Sequence, residues 1–267
     1  MSTWEFPFMR RSSSMLAEVV SLVRDAMRAG VTTEELDALA EDEIKKRGAM
    51  PAFKGYQPTP AFSPFPGSIC TSSNHVVAHG IPRDLPLVEG DVVSLDFGLV
   101  FQGYYADTAF TASVGPARPE IQELLDTTRT ALEAGIAAAK PGNRVGDIGH
   151  AIEQHAKAAG FGLVHEFVGH GIGRKLHERP AIPNFGTAGS GPLLRPGMAI
   201  CIEPVFTLGG GRTRTLADGW TAVTADGSIA AHFEHTILIT HGDPEILTDR
   251  PRIALPEQLG IPPLAAG

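Results

Sequence analysis

Residues 92–113 read VVSLDFGLVFQGYYADTAFTAS, and the fold follows from how this stretch pairs with itself. Val92 to Phe101 and Tyr104 to Ser113 are apolar, strand-forming runs, and Gln102 with Gly103 fits the tip of a two-residue hairpin. With that tip, Phe101 pairs with Tyr104 and Asp107 faces Gly98. Gly98 and Asp96 are two positions apart on one strand, so pleat alternation puts the Asp96 and Asp107 carboxylates on one face as diagonal neighbours. Both acids stand among Val, Leu, Phe and Ala, where a carboxylate loses hydration without compensation. The hairpin alone leaves two readings open. Either the two aspartates share a cation, or one caps a turn while the other lies on the surface.

Upstream, SSSMLAEVVSLVRDAMRAG (12–30) spaces Leu16, Val19, Val20, Val23 and Met27 at helical intervals behind a serine cap, with Gly30 as a stop. Thr32 and Glu35 have capping-box spacing, and Leu36, Leu39 and Ile44 continue a second helix toward Gly48. An offset of 112 residues aligns Gly30 with Gly142, Leu36 with Ile148, Glu41 with Glu153, Lys45 with Lys157 and Gly48 with Gly160. This is either an internal duplication or two helices sharing ordinary stop signals. Downstream of the hairpin, GPARP at 115–119 breaks the chain, and Pro119 opens a helix carrying Ile121, Leu124, Leu132 and Ile136. Beyond this hinge the order repeats: a helix over 145–159, then FVGHGIG, AICIEPVF, RTRTL, GWTAV and HFEHTILIT as strands. Helices followed by mainly antiparallel strands predict an α+β fold, the sheet covered by helices on one side. The expected division is an N-terminal extension over 1–14, one domain over 15–248 with halves of about 15–115 and 119–248, and a proline-rich surface tail over 249–267.

The second half brings further acids into apolar runs, Glu203 in AICIEPVF and Glu234 in HFEHTILIT. Four ionised carboxylates converging in one core repel strongly unless protons or cations remove the charge, and two divalent cations cancel it. A binuclear centre acidifies water into a nucleophile at neutral pH. The imidazole of His170 lies between Gly169 and Gly171, which let the backbone bend tightly around a ligand, and His177 follows in the same segment. A set of four carboxylates and one imidazole favours Mn, Fe or Co and permits Zn. His79, in NHVVAHGIP, sits beside a turn that would hold its ring at a cleft edge as a hydrogen-bond donor.

In order along the chain, GVTTEELD, SICTSSNHVVAHGIP, the paired aspartates, GHGIGRKLHERP, PGMAICIEP, DGWTAVTADGS and FEHTILIT resemble the methionine aminopeptidase family of the bacterial type I form, over roughly residues 15–248. The resemblance implies the pseudo-twofold, duplicated "pita-bread" fold of creatinases and aminopeptidases. It implies two divalent ions, of Co, Mn, Fe, Zn or Ni, with Asp96, Asp107 and Glu234 bridging or chelating while His170 and Glu203 complete the pair. The implied activity is removal of the N-terminal methionine from nascent polypeptides with a small second residue, by attack of a hydroxide held between the metals. Glu203 would carry the proton, and His79 and His177 would contact the substrate and steady the developing charge. A methionine pocket would be built from Phe62, Phe65, Cys70 and Trp220, with Leu176 beside them, sulfur on aromatic rings being a favourable contact. Phe62 and Phe65 stand where the family often has tyrosine, and His75 where a Glu would follow Asn74. These departures bear on substrate preference and on a monovalent-cation site near Asn74. Only 26 positions separate His177 from Glu203, so the long insertion of the type II form is missing.

Composition agrees with such a protein. Of 267 residues, 43% are hydrophobic and 19% charged, which argues against a disordered or fibrous chain. The net charge of −8 has the wrong sign for holding polyanions, so no direct nucleic-acid binding is expected. Two cysteines are too few for a disulfide framework, and neither a signal peptide nor a membrane span is legible, so the expected location is the cytoplasm and the expected state a monomer. The partners implied by the resemblance are nascent N-termini and the surface of the ribosome exit site. Asp96-Phe97-Gly98 spells a kinase tripeptide without the rest of the kinase set, and no HExxH motif accompanies the histidines. The nearest rival is an Xaa-Pro peptidase, which shares the fold and ligands but usually carries an additional N-terminal domain, for which the roughly 90 residues before Asp96 leave too little room. A catalytically silent binding module of the same fold would show eroded ligands, and none is eroded.

Overall fold

The computed structural model describes residues 5–249. All but the first residue of the expected tail over 249–267 lie outside them. In chain order the first half contains α1 (Phe6–Ala26), α2 (Thr33–Lys46), β1 (Met50–Pro51), β2 (Ile69–Ser73), β3 (Val76–Ala78), β4 (Val92–Phe101) and β5 (Tyr104–Ser113). The second contains α3 (Pro119–Ala138), α4 (Val145–Ala159), β6 (Gly162–Leu163), β7 (Gly169–Gly171), β8 (Glu178–Ile182), β9 (Ala199–Ile202), β10 (Val205–Thr207), β11 (Thr213–Thr215), β12 (Ala222–Thr224), β13 (Ala230–His232), β14 (His235–Leu238) and β15 (Glu245–Ile246). Among the described residues every pairing between these strands is antiparallel.

The β4–β5 hairpin forms in the register that its tip requires, Phe101 opposite Tyr104 and Gly98 opposite Asp107. Gln102 and Gly103 both take positive φ, 51° and 79°, the conformation that turns a right-twisted ribbon in two residues. On β4 the side chains of Val93, Leu95, Phe97 and Leu99 join one core with Leu16, Val19 and Val23 of α1, Ile121 and Leu124 of α3, and Ile148 and Ile152 of α4. Full burial of a large apolar side chain is worth about 1.5–3 kcal/mol, so these four residues together contribute roughly as much as a typical domain's net stability. That gain on one face offsets the cost of placing Ser94, Asp96 and Gly98 on the other.

Two expectations about the helices need correction or gain support. The first helix is not capped at the serines: it starts at Phe6, and Ser12 and Ser13 are buried within it. The Ser12 hydroxyl donates to the carbonyls of Phe8 and Met9, which removes the need for an N-cap there. The 112-residue offset, in contrast, superposes equivalent features. Thr32 caps α2 reciprocally with Glu35, and Asp147 accepts from the Arg144 backbone at the start of α4. Glu41 pairs with Lys45 and Glu153 with Lys157, at 2.6 and 2.9 Å. Both helices end at glycines with left-handed φ, Gly48 at 70° and Gly160 at 71°. Even the isolated bridges before the helices correspond, Thr32 with Pro86 and Arg144 with Leu193. The architecture is the duplicated pita-bread fold.

Candidate metal centre

The acids arrive from both halves. Asp96 and Asp107 project from the β4–β5 ribbon, with Asp96 opposite Ala109 and Asp107 opposite Gly98. Glu203 and Glu234 are not ordinary strand residues, as the sequence suggested. Each lies in a break, Glu203 between β9 and β10 and Glu234 between β13 and β14. Since β9 pairs with β14 and β10 with β13, a single ribbon passes from one sheet to another at the two glutamates. Hydrogen bonds fasten this bend to the first half. The Glu234 N–H donates to the Ala109 carbonyl at 3.0 Å, Thr108 Oγ1 donates to the Glu234 carbonyl at 2.6 Å, and the Thr236 hydroxyl bridges the N–H and carbonyl of Asp107.

His170 occupies the centre of β7. Its flanking glycines serve a different purpose from the tight bend expected of them: a Cβ on Gly169 would meet the Cys201 carbonyl oxygen at 2.2 Å, and one on Gly171 the Arg179 carbonyl oxygen at 2.3 Å. They allow neighbouring strands to close around the imidazole. His170 Nδ1 lies 2.9 Å from the Gly171 carbonyl, a partner that can only accept, so Nδ1 carries the proton and Nε2 presents a lone pair. Nε2 is 3.7 Å from both Asp107 Oδ2 and Glu203 Oε1. That is long for a hydrogen bond, yet donors that each bind an ion at about 2.1 Å can sit up to about 4.2 Å apart.

The electrostatics require a counter-charge. Asp107 and Glu234 are almost fully buried, whereas Asp96 and Glu203 keep part of their surface open to a cavity. Burial raises all four carboxyl pKa values, reinforced at Asp107 and Glu203 by Asp96 and at Glu234 by Asp107. Oδ1 of Asp96 and Oδ1 of Asp107 are buried without a hydrogen-bond partner. Among the described residues, no Lys or Arg forms an ion pair with Asp96, Asp107 or Glu203. The donor set therefore fits divalent ions: oxygens without protein partners, one correctly presented imidazole nitrogen and a surplus of negative charge.

The residues expected to hold metal, to contact the scissile bond and to form the methionine pocket line one cavity of about 620 Å³: Asp96, Asp107, His170, Glu203 and Glu234, His79 and His177, and Phe62, Phe65, Cys70, Leu176 and Trp220. His79 has left-handed φ, 56°, and its ring stands edge-on to Phe167 at 5.2 Å. Burial lowers its pKa to about 4, so the ring is a neutral donor. His177 is the more open histidine, and its Nδ1 lies 2.8 Å from the Tyr56 hydroxyl. A tyrosine donating there leaves Nε2–H free for a substrate oxygen. At the apolar end Phe65 meets Trp220 edge-on at 5.3 Å, and the indole N–H donates to the Ser63 carbonyl at 2.9 Å. Phe62 also lines the cavity, 5.4 Å from Trp220, and is 41% exposed.

Sequence reasoning passed over Tyr56, Cys201 and His232. Tyr56 reaches His177 across 121 residues of chain, which no local pattern encodes. Cys201 and His232 each stand two positions before a cluster glutamate, so strand alternation was an available signal. Donor atoms of Asp107, His170, Cys201 and Glu234 all lie within 4.8 Å of one another. Burial, with the charges of Glu234 and Asp107, pushes the Cys201 thiol well above its ordinary pKa, so it is a neutral neighbour of the carboxylates.

The sequence matches metallopeptidase family M24 over residues 7–241. A methionine aminopeptidase of Clostridium perfringens is 45% identical over 244 residues, covering 91% of this chain and 96% of that protein. The crystal structure of methionine aminopeptidase from Rickettsia prowazekii superposes with a TM-score of 0.89 at 38% identity, over 93% of this chain and 98% of that one. Prolidase from Pyrococcus furiosus is similar in fold, with a TM-score of 0.76 at 23% identity, but this chain spans only 65% of its length.

Proposed function

Because the chain belongs to metallopeptidase family M24, we propose that it removes the N-terminal methionine from nascent polypeptides whose second residue is small, in a metal-dependent hydrolysis of the first peptide bond. What supports this reading most is the meeting of an oxygen-rich donor cluster, two neutral imidazoles and an aromatic slot in a single cavity. Asp96, Asp107, His170, Glu203 and Glu234 would hold two divalent ions. Such ions would supply Lewis acidity to the substrate carbonyl, acidify water and anchor the free N-terminus.

The side chains divide the remaining work. Glu203 carries the proton from the attacking water to the leaving amine. Its side chain is 15% exposed, toward the cavity, whereas Glu234 is only 2% exposed, so of the two glutamates Glu203 is the one with room to exchange a proton. His79 and His177, both neutral, contact the amide and the carbonyl of the scissile bond and steady charge as it develops. The methionine side chain lies against Phe65, Trp220, Cys70 and Leu176, where its thioether meets aromatic edges.

Release of free methionine from Met-Ala-Ser, compared with cleavage of Xaa-Pro dipeptides, tests the reading. Activity toward Met-Ala-Ser that disappears with a chelator and returns with Mn or Co is the expected result. Undiminished activity in the chelated protein, or preference for the Xaa-Pro substrates, would overturn it. The described residues contain no helix long and apolar enough to cross a membrane.

A further inference from the structure

His232 closes β13, two residues before Glu234, and its backbone is held by one hydroxyl. Its N–H donates to Thr111 Oγ1 at 2.8 Å, and the same hydroxyl donates to its carbonyl at 2.7 Å. Ser94 Oγ, 2.7 Å from Thr111 Oγ1, supplies a further hydrogen bond that fixes the hydroxyl's orientation. The imidazole that projects from this anchored backbone is 6% exposed, and its Nε2 is buried without a hydrogen-bond partner. Buried polar groups are nearly always satisfied, and an orphaned ring nitrogen beside a reaction site calls for a partner. The acidic oxygen facing it is Oε2 of Glu203, at 4.0 Å.

Glu203 thus stands between two imidazoles, with Oε1 3.7 Å from His170 Nε2 and Oε2 4.0 Å from His232 Nε2. The rings cannot play the same part. His170 uses its Nδ1 proton on the Gly171 carbonyl and so offers Nε2 as a lone pair toward the metal side. His232 faces the other oxygen of the carboxylate, where an N–H is the complementary group. A neutral imidazole carries one ring proton, and Nε2 is the nitrogen left without a partner. The terminal torsion of a glutamate is soft, and a small rotation of the carboxylate closes the remaining gap.

We infer that His232 is a positioning residue whose Nε2–H donates to the outer oxygen of Glu203 and sets the rotation of that carboxylate, so that its inner oxygen faces the ions and the substrate. This rests on the reading of Glu203 as the proton carrier. Replacing the donor should therefore slow turnover rather than weaken substrate or metal binding.

Two measurements test it. Nitrogen-15 spectra of histidine-labelled, zinc-loaded protein should show His232 as the Nε2–H tautomer, with a ring proton slow to exchange that is exposed to exchange in Glu203→Ala. An unprotonated Nε2 would overturn the inference and make the ring a metal ligand or an acceptor. In kinetics on Met-Ala-Ser with Mn, His232→Leu should lower kcat about 10-fold or more, with KM within about twofold and unchanged metal content, while His232→Gln, which keeps an N–H at similar reach, should recover to within about threefold of the wild type. A fully active His232→Leu, a His232→Gln no better than His232→Leu, or loss of bound metal in His232→Leu would each overturn it. The wild type and Glu203→Gln run alongside separate the two levels. A wild type without methionine release, or a fully active Glu203→Gln, removes the underlying reading. An active wild type, a dead Glu203→Gln and an unaffected His232→Leu remove only the role of His232.

Discussion

Stripping the metal should make folding stability fall with rising pH. In the metal-free protein burial lifts the carboxyls of Asp96 and Glu203 to about 7 and about 8, and those of Asp107 and Glu234 well above the usual carboxylate range. An acid whose folded pKa exceeds its unfolded one keeps a proton that the unfolded chain has shed, so stability is lost between about pH 4 and the folded value. The buried histidines act in the opposite sense. His79 and His170 are lowered to about 4 and His232 to about 3, so their contribution grows with pH and is complete above the ordinary imidazole pKa of about 6.5. The carboxylates therefore act alone between about pH 6.5 and 8. Asp96 and Glu203, at about 7 and about 8, shed their protons through this window and together cost about 2 kcal/mol, and Asp107 and Glu234 add to the loss in the same direction. For a chain of this size about 2–4 °C accompanies each kcal/mol, so the melting midpoint should drop by at least roughly 4–8 °C. Circular dichroism melts of chelated protein from pH 6.5 to 8.0, with and without added Mn, measure this directly. The Mn-loaded protein, whose carboxylates are already ionised, should lack the slope, and metal-free Asp96→Asn/Glu203→Gln should reduce it. A metal-free midpoint that is level or rises across the window would refute the reasoning.

Other outcomes follow from single contacts. Asp107→Asn removes a carboxylate that faces the His170 lone pair, and it should lose bound metal and at least about 100-fold in kcat/KM together, read by elemental analysis and Met-Ala-Ser hydrolysis. Tyr56→Phe removes the partner of His177 Nδ1 and should lower kcat about 2- to 10-fold with metal content intact, the equivalent of one ordinary hydrogen bond. Thr32→Ala breaks the reciprocal cap of α2 and should cost about 1 kcal/mol in denaturant unfolding without altering turnover, since the cap is remote from the cavity.

The readability of this chain varies with the range of the interactions involved. The hairpin was legible because Gln102-Gly103 fixes the tip, and a known tip fixes every partner along both strands, including Gly98 opposite Asp107. The capping box at Thr32 and the opening of α3 at Pro119 are likewise local. The first helix misled because serines are good caps in isolation, whereas Ser12 turns its hydroxyl back onto Phe8 and Met9 inside a buried helix. At Glu203 and Glu234 the sequence marked acids in apolar runs but could not reveal that the strands break there, since the bend is imposed by the passage of one ribbon between two sheets. Phe62 lines the cavity, but the sequence could not reveal that 41% of it stays exposed, since that depends on its tertiary contact with Trp220. The Tyr56–His177 contact was wholly out of reach, being set by tertiary packing alone.

Cluster donors come two from the first half of the duplication and three from the second. Neither repeat alone holds the cage, and the ribbon bend at Glu234 must be seated on Ala109 before the last carboxylate reaches its place. An ion bound there would clasp the two halves together, and a chain with only its N-terminal hairpin formed would hold such an ion no better than any pair of adjacent acids.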